Sequence, residues 1–353
     1  MKRQLLGVAA FMLALSAHAQ DNPLWMRYCA ISPDGTSIAF TYKGDIYTVP
    51  VNGGKAAQIT TNAAHDTHPV WSPDGKQIAF ASDRMGSMDI FVVDREGGIP
   101  KRLTTHSGNE TPVAFKDADH ILFLANVMPS AEDAQFPSGQ FQQVYEVSTT
   151  GDRPVMFSSM PMEDISINKT GNALLYHDKK GYEDPWRKHH TSSITRDIWL
   201  CSLDGKRSYR KLTSFNGEDR TPVWASDGKS FYYLSEEKGS FNVFKRALDG
   251  TSSTQLTHHT KHPVRFLTAA DNGTLCYGYD GEIYTMKEGT EPRKVQISIL
   301  TDKNDKDLIR QIRRNGATEI ALSPDAKEVA FILRGDVYVT SVEYKTTKQI
   351  TNT

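Results

Sequence analysis

Residues 68–82 read HPVWSPDGKQIAFAS, and residues 31–41 have already read ISPDGTSIAFT. The shared Ser-Pro-Asp-Gly is a turn: proline presets the backbone of the second place, and glycine accepts a left-handed conformation at the fourth. After Gly75 the chain alternates in period two (KQIAFAS), breaks at DRMGSM and resumes as DIFVVD, before KRLTTH closes the unit. Alternation of that kind marks half-buried strands, and a short turn between two of them makes an antiparallel pair.

Aligning the chain on this turn gives seven units, at Asp34-Gly35, Asp74-Gly75, Asp117-Ala118, Thr170-Gly171, Asp227-Gly228, Asn272-Gly273 and Asp325-Ala326. The mean step is about 48 residues, a period of stacked blades or solenoid units. A closing Ile/Leu-Thr recurs at 59–60, 103–104, 212–213, 256–257 and 350–351. It lies 25 residues after the turn aspartate in units one and seven and 29 in units two and five, so only the middle hairpin loop changes length. Four strands per unit at this period predict an all-β fold, a seven-bladed β-propeller of four-stranded antiparallel blades over residues 20–353. Repeats start near 24, 65, 108, 161, 217, 260 and 315, and each unit supplies its own four strands, so the ring is expected to close without a borrowed strand. One short helix is allowed at 306–314. Asp45, Asp89, Asp197, Glu282 and Asp336 recur at the start of the third strand, where a structural hydrogen-bonding task is expected.

The chain carries 41 Lys plus Arg against 42 Asp plus Glu, which argues against nucleic acid as a partner. Residues 1–19 have a positive start, the apolar run LLGVAAFMLAL and Ala17-His18-Ala19, the pattern of a cleaved secretory signal with maturation at Gln20. No later apolar run is long enough to span a bilayer, so a periplasmic or secreted protein is expected. Cys29, Cys201 and Cys276 each lie in an apolar strand-like run and read as buried free thiols rather than as a disulfide framework or metal set.

The phrase PVWSPDGKQIAFASDRMGSMDIFVVDREGGIPKRLT resembles the repeat of the TolB propeller and of the propellers that precede the catalytic part of tricorn-like serine peptidases. The stretch KKGYEDPWRKHHTSSITRDIW at 179–199 resembles, more narrowly, exported tricorn-like peptidases of Gram-negative bacteria. The resemblance covers residues 24–353 and implies the first part of a longer architecture, in which a second propeller, a PDZ-like module and an α/β domain with the serine nucleophile come later. None of that machinery lies in residues 24–353, so no catalytic residue is carried over. The implied function is a non-catalytic propeller module that binds or gates peptide substrate or docks to the protease domains. The alternative is a stand-alone TolB-like periplasmic adaptor. An enzyme with an active site in its own funnel ranks third.

The residues themselves support a non-catalytic reading. There is no Gly-x-Ser-x-Gly elbow. HDTHP at 65–69 lacks the helix that would place two histidines on one face, and DKNDKD at 302–307 has Lys306 and Asp307 where a calcium loop needs an oxygen ligand and glycine. No metal or cofactor is expected. Binding is expected where blades differ. The residues before each inner strand align as one ring of Tyr28, His68, Thr111, Asp164, Thr221, His262 and Glu319. A second ring holds Arg27, Thr67, Glu110, Glu163, Arg220, Lys261 and Thr318. This mixed-charge mouth suits a peptide, with mutual pairing of the charges as the structural alternative. The fourth unit has 42 residues from Thr170 to Leu212, an insertion at 178–196 that carries Tyr182, Trp186, Arg187, His189 and His190. With a second long loop at 126–141, it is expected to contact a peptide terminus or a following domain.

Overall fold

Each repeated turn is held by its own side chains. Ser32 Oγ donates to Asp34 Oδ1 at 2.5 Å, and the same carboxylate accepts the Thr36 N–H at 2.9 Å, while Ser37 N–H donates to Ser32 Oγ at 3.0 Å. Blade two repeats the set with Ser72, Asp74, Lys76 and Gln77, and the seventh unit with Ser323, Asp325, Lys327 and Glu328. Gly35 has φ 71° and packs so closely on Asn272 that a Cβ would overlap its amide. The closing threonine is a second device. Its Oγ1 accepts an N–H at the start of the third strand: Ile46 to Thr60 at 3.0 Å, Ile90 to Thr104, Ile198 to Thr213 and Val243 to Thr257 at 2.9 Å.

The computed structural model describes residues 23–126, 141–182, 192–300, 313–344 and 346–351. The signal segment and most of the predicted helix at 306–314 lie outside them. All seven repeats form the predicted four-stranded antiparallel sheets, with strands in chain order from the inner edge outward. Blade one runs Arg27–Ile31, Ser37–Tyr42, Asp45–Pro50 and Gly54–Gln58. The inner strands of the next five blades are Asp66–Trp71, Thr111–Phe115, Met162–Ile167, Asp219–Trp224 and Arg265–Ala269. The recurrent carboxylates at the third strand do have structural partners, and these are side chains. Asp45 accepts from the Thr60 hydroxyl and Gln58, Asp89 pairs with Arg102 at 2.8 Å, and Asp197 with Lys211 at 2.8 Å.

The ring closes differently from the sequence expectation. The chain divides into a unit ending at Leu300 and a second from Thr301 onward. Within the first, apolar clusters join each blade to the next. Trp71 and Phe80 meet Ile46 between blades one and two, Phe231 and Phe244 meet Ile198 between four and five, and Met26, Cys29 and Phe40 meet Cys276 and Ile283 between one and six. Blade six therefore packs directly on blade one, and Ile31 N–H donates to Thr268 Oγ1 at 3.1 Å across the junction. A strand does cross it: Ile297–Ile299 pairs in parallel with Gly54–Gln58 on the outer edge of blade one. Within this unit, blades one and six are thus joined by an apolar cluster, a hydrogen bond and a crossing strand, so closure without a borrowed strand is the expectation that fails. The seventh sheet, from Ala317–Leu322 to Thr347–Gln349, constitutes the second unit, with Ile320 and Leu322 exposed. All three cysteines are buried free thiols.

Candidate functional site in the central channel

Every inner strand of the six-blade ring carries a register shift near its start, where one residue bulges out of the ladder. In five of the six blades the bulged residue has a left-handed backbone: Tyr28 (φ 51°), His68 (55°), Asp164 (49°), Thr221 (50°) and Phe266 (57°). None of these is glycine, so each conformation is strained and held by its surroundings. Each lies six residues before its turn residue at Asp34, Asp74, Thr170, Asp227 or Asn272. That spacing corrects blade six. His262 and Lys261 lie upstream of the strand, where His262 Nε2 stands 3.3 Å from Asp280, and the bulge position belongs to Phe266 with Arg265 before it. The His-Pro-Val at 262–264 imitates the His-Pro-Val at 68–70, and the spacing to the turn is the signal that separates them. Glu319 holds the same strained bulge (φ 51°) on the seventh sheet, with Thr318 before it; both belong to the second unit.

Four of those five left-handed residues, Tyr28, His68, Asp164 and Thr221, line a channel of about 970 Å³ with Thr111 and Glu163, and toward the turns with Lys116, Lys169 and Asp271. One side is aromatic. The Tyr28 ring lies 3.6 Å from His68 and 4.8 Å from Phe266, centroid to centroid. Burial lowers the His68 pKa to about 4, so the imidazole is neutral at physiological pH, and burial also raises the Tyr28 phenol. The opposite side is polar: Thr221 Oγ1 donates to Asp164 Oδ2 at 2.6 Å.

Behind that polar side, blades four and five share a buried ionic network. Glu163 takes Lys179 at 2.7 Å, His177 Nε2 at 3.2 Å and Arg196 Nε at 3.4 Å. Burial alone would raise its pKa, but the hydrogen bond and charge of His177, with Lys179 and Arg196, hold it far below the usual carboxylate range. Glu218, fully buried, takes Arg196 and Arg220 at 2.5 Å each. Burial and the neighbouring Arg196 lower the Arg220 pKa.

Of the residues expected to form a binding mouth, the structure brings Tyr28, His68, Thr111, Glu163, Asp164 and Thr221 into the channel wall. Arg220 is drawn into the network behind it. Glu110 is 1% exposed and bonded to the Thr104 hydroxyl, a structural place. Arg27 lies over the exposed Trp25 ring, 5.6 Å from its centroid. Tyr182 is exposed, while Trp186, Arg187, His189 and His190 lie outside the described residues, as does most of the loop at 126–141. The stems of the fourth-unit insertion do reach the mouth, because Lys179 and Arg196 flank it and both hold Glu163. Sequence reasoning missed Phe266, His177, Arg196 and Glu218. Among the described residues no group of three or more His, Cys, Asp or Glu side chains is arranged to hold a metal.

Residues 23–292 match the model of the tricorn protease N-terminal β-propeller domain, a span from the start of blade one to just before the last strand of blade six. The chain belongs to that family. It is 25% identical over 279 residues to tricorn protease homolog 1 of Streptomyces coelicolor, which covers 78% of this chain and 25% of the homolog. To the tricorn protease of Thermoplasma acidophilum it is 25% identical over 332 residues, 90% of this chain and 29% of that protein. The crystal structure of the tricorn protease superposes with a TM-score of 0.70 at 20% identity, over 94% of this chain and 32% of the other. This tricorn-type chain thus spans about a quarter of the length of those two relatives.

Proposed function

We propose that the six-blade channel is the peptide-binding and access element of an exported tricorn-type serine peptidase, non-catalytic itself and docked to protease domains. The family carries the assignment to a protease. The channel carries the assignment to peptide: a passage of about 970 Å³ with an aromatic wall, a hydrogen-bonding wall and an insertion rooted at its mouth. An extended peptide presents alternating side chains and a polar backbone, and both walls have a partner for it. The left-handed bulges hold their side chains on a rigid sheet edge, so little is lost to ordering on binding. Export belongs to the same reading and is supported by the segment MKRQLLGVAAFMLALSAHA at 1–19.

The test is calorimetric titration of the purified chain with short unstructured peptides, beside a hydrolysis assay by mass spectrometry. Binding in the micromolar range without cleavage supports the proposal. Cleavage by the chain alone, or no binding by any peptide, overturns it.

A further inference from the structure

The charges along the channel are unevenly satisfied. Lys116 is held by both oxygens of Glu146 at 2.8 and 2.9 Å, and Lys169 by Asp271 at 2.9 Å. Glu163 is paired with Lys179 and Arg196 and lies within hydrogen-bond distance of His177, and Asp117 lies 2.9 Å from His120 Nδ1. Asp164 is different. Its Oδ2 accepts from Thr221 and stands 3.6 Å from His177 Nδ1, while Oδ1 takes no hydrogen bond among the described residues. The carboxylate is 47% exposed, and its charge is felt by both the Tyr28 phenol and the His68 ring. A half-solvated carboxylate beside the tilted aromatic cluster of Tyr28, His68 and Phe266, with every lining lysine already engaged and the neighbouring Arg220 held by Glu218, is a site for one small cation. The neutral state of His68 adds no competing positive charge.

We propose that Asp164 and the Tyr28–His68–Phe266 cluster form a subsite for a primary ammonium group, the free amino terminus of a peptide. The α-ammonium donates to Asp164 Oδ1, and the first side chain lies against the aromatic wall. Carboxylate and rings both belong to the set of bulged residues, so one ligand can meet both, and the amino terminus is separated from a lysine side chain by the experiment below. This rests on the peptide-access reading and adds a polarity to it: chains engage the channel by their amino end.

The experiment titrates the purified chain with four peptides, AAFAA, acetyl-AAFAA, AAFAA-amide and acetyl-KAFAA, at neutral pH. Acetylation of the amino end is expected to weaken binding about tenfold or more, amidation of the carboxyl end to leave it unchanged, and Asp164→Asn to abolish the difference. Equal binding of AAFAA and acetyl-AAFAA overturns the subsite while the peptide-access reading stands. So does retention of the difference by Asp164→Asn. Recovery by acetyl-KAFAA overturns the amino-terminal assignment and gives the site to lysine side chains. If no peptide binds, the access reading itself falls and the subsite with it. If Asp164→Asn does not fold, judged by its thermal melt, the comparison of free and acetylated peptides on the unaltered chain decides alone.

Discussion

Glu110 gives the sharpest test of how this fold handles charge. Its side chain is 1% exposed, and burial, opposed by the Thr104 hydrogen bond, raises its pKa from 4.5 to about 7. A folded-state value above the unfolded one means that the folded chain binds the proton more tightly. Stability from this group is therefore full below pH 4.5 and is lost as pH rises through 7. The shift corresponds to roughly 3 kcal/mol of destabilisation at pH 8. Glu110→Gln removes the charge but keeps a carbonyl oxygen to accept from Thr104. The variant and the unaltered chain should melt together near pH 4, diverge between pH 4.5 and 7, and differ by several degrees at pH 8, with the variant higher. Circular dichroism melts across that range measure it. A difference that does not change with pH, or a variant less stable at pH 8, refutes the reasoning.

Glu218→Ala leaves Arg196 and Arg220 buried without their shared carboxylate and should cost about 3–5 kcal/mol, read as a fall in denaturation midpoint; a change below about 1 kcal/mol would mean that the arginines find water. Gly35→Ala adds a Cβ at φ 71° against Asn272, and should cost about 1–3 kcal/mol, only partly recovered when Asn272→Ala removes the overlap but not the backbone strain. Ile297→Ala, in the strand that seals blade one, should cost about 2–4 kcal/mol, as much as truncating Ile38 in the middle of that blade. A near-zero effect would show that the crossing strand is not part of the seal.

The blades were legible in the sequence because each is written locally. A Ser-Pro-Asp-Gly turn makes its hydrogen bonds within six residues, and period-two alternation reports which face of a strand is buried. Closure was not legible. Repeat number says how many sheets form, whereas the seal depends on Ile297–Ile299 finding Gly54–Gln58 some 240 residues earlier, a pairing with no local signature. The site was half legible. His68, Glu163 and Asp164 were found by alignment, but Phe266 was hidden by an upstream His-Pro-Val copy, and Arg196 and Glu218 meet only because two blades pack together.

The strained ring explains why function can change here without unfolding the blade. A left-handed residue in a strand is costly for any side chain but glycine, on the order of 1–2 kcal/mol, and most of all for a β-branched one such as Thr221. If the strain served one chemistry, it would sit in one blade. Instead five blades adopt the same φ within a range of 49° to 57° and fill it with tyrosine, histidine, aspartate, threonine and phenylalanine. In these five blades the conformation accompanies the extra residue that leaves the register, and it is indifferent to the side chain it presents. Glycine would relieve the strain and occupies none of these five positions. Each position retains instead a side chain directed by a fixed bulge at the channel wall, so the aromatic half and the Asp164–Thr221 half are choices made at positions where the backbone asks only for a residue that tolerates the bend.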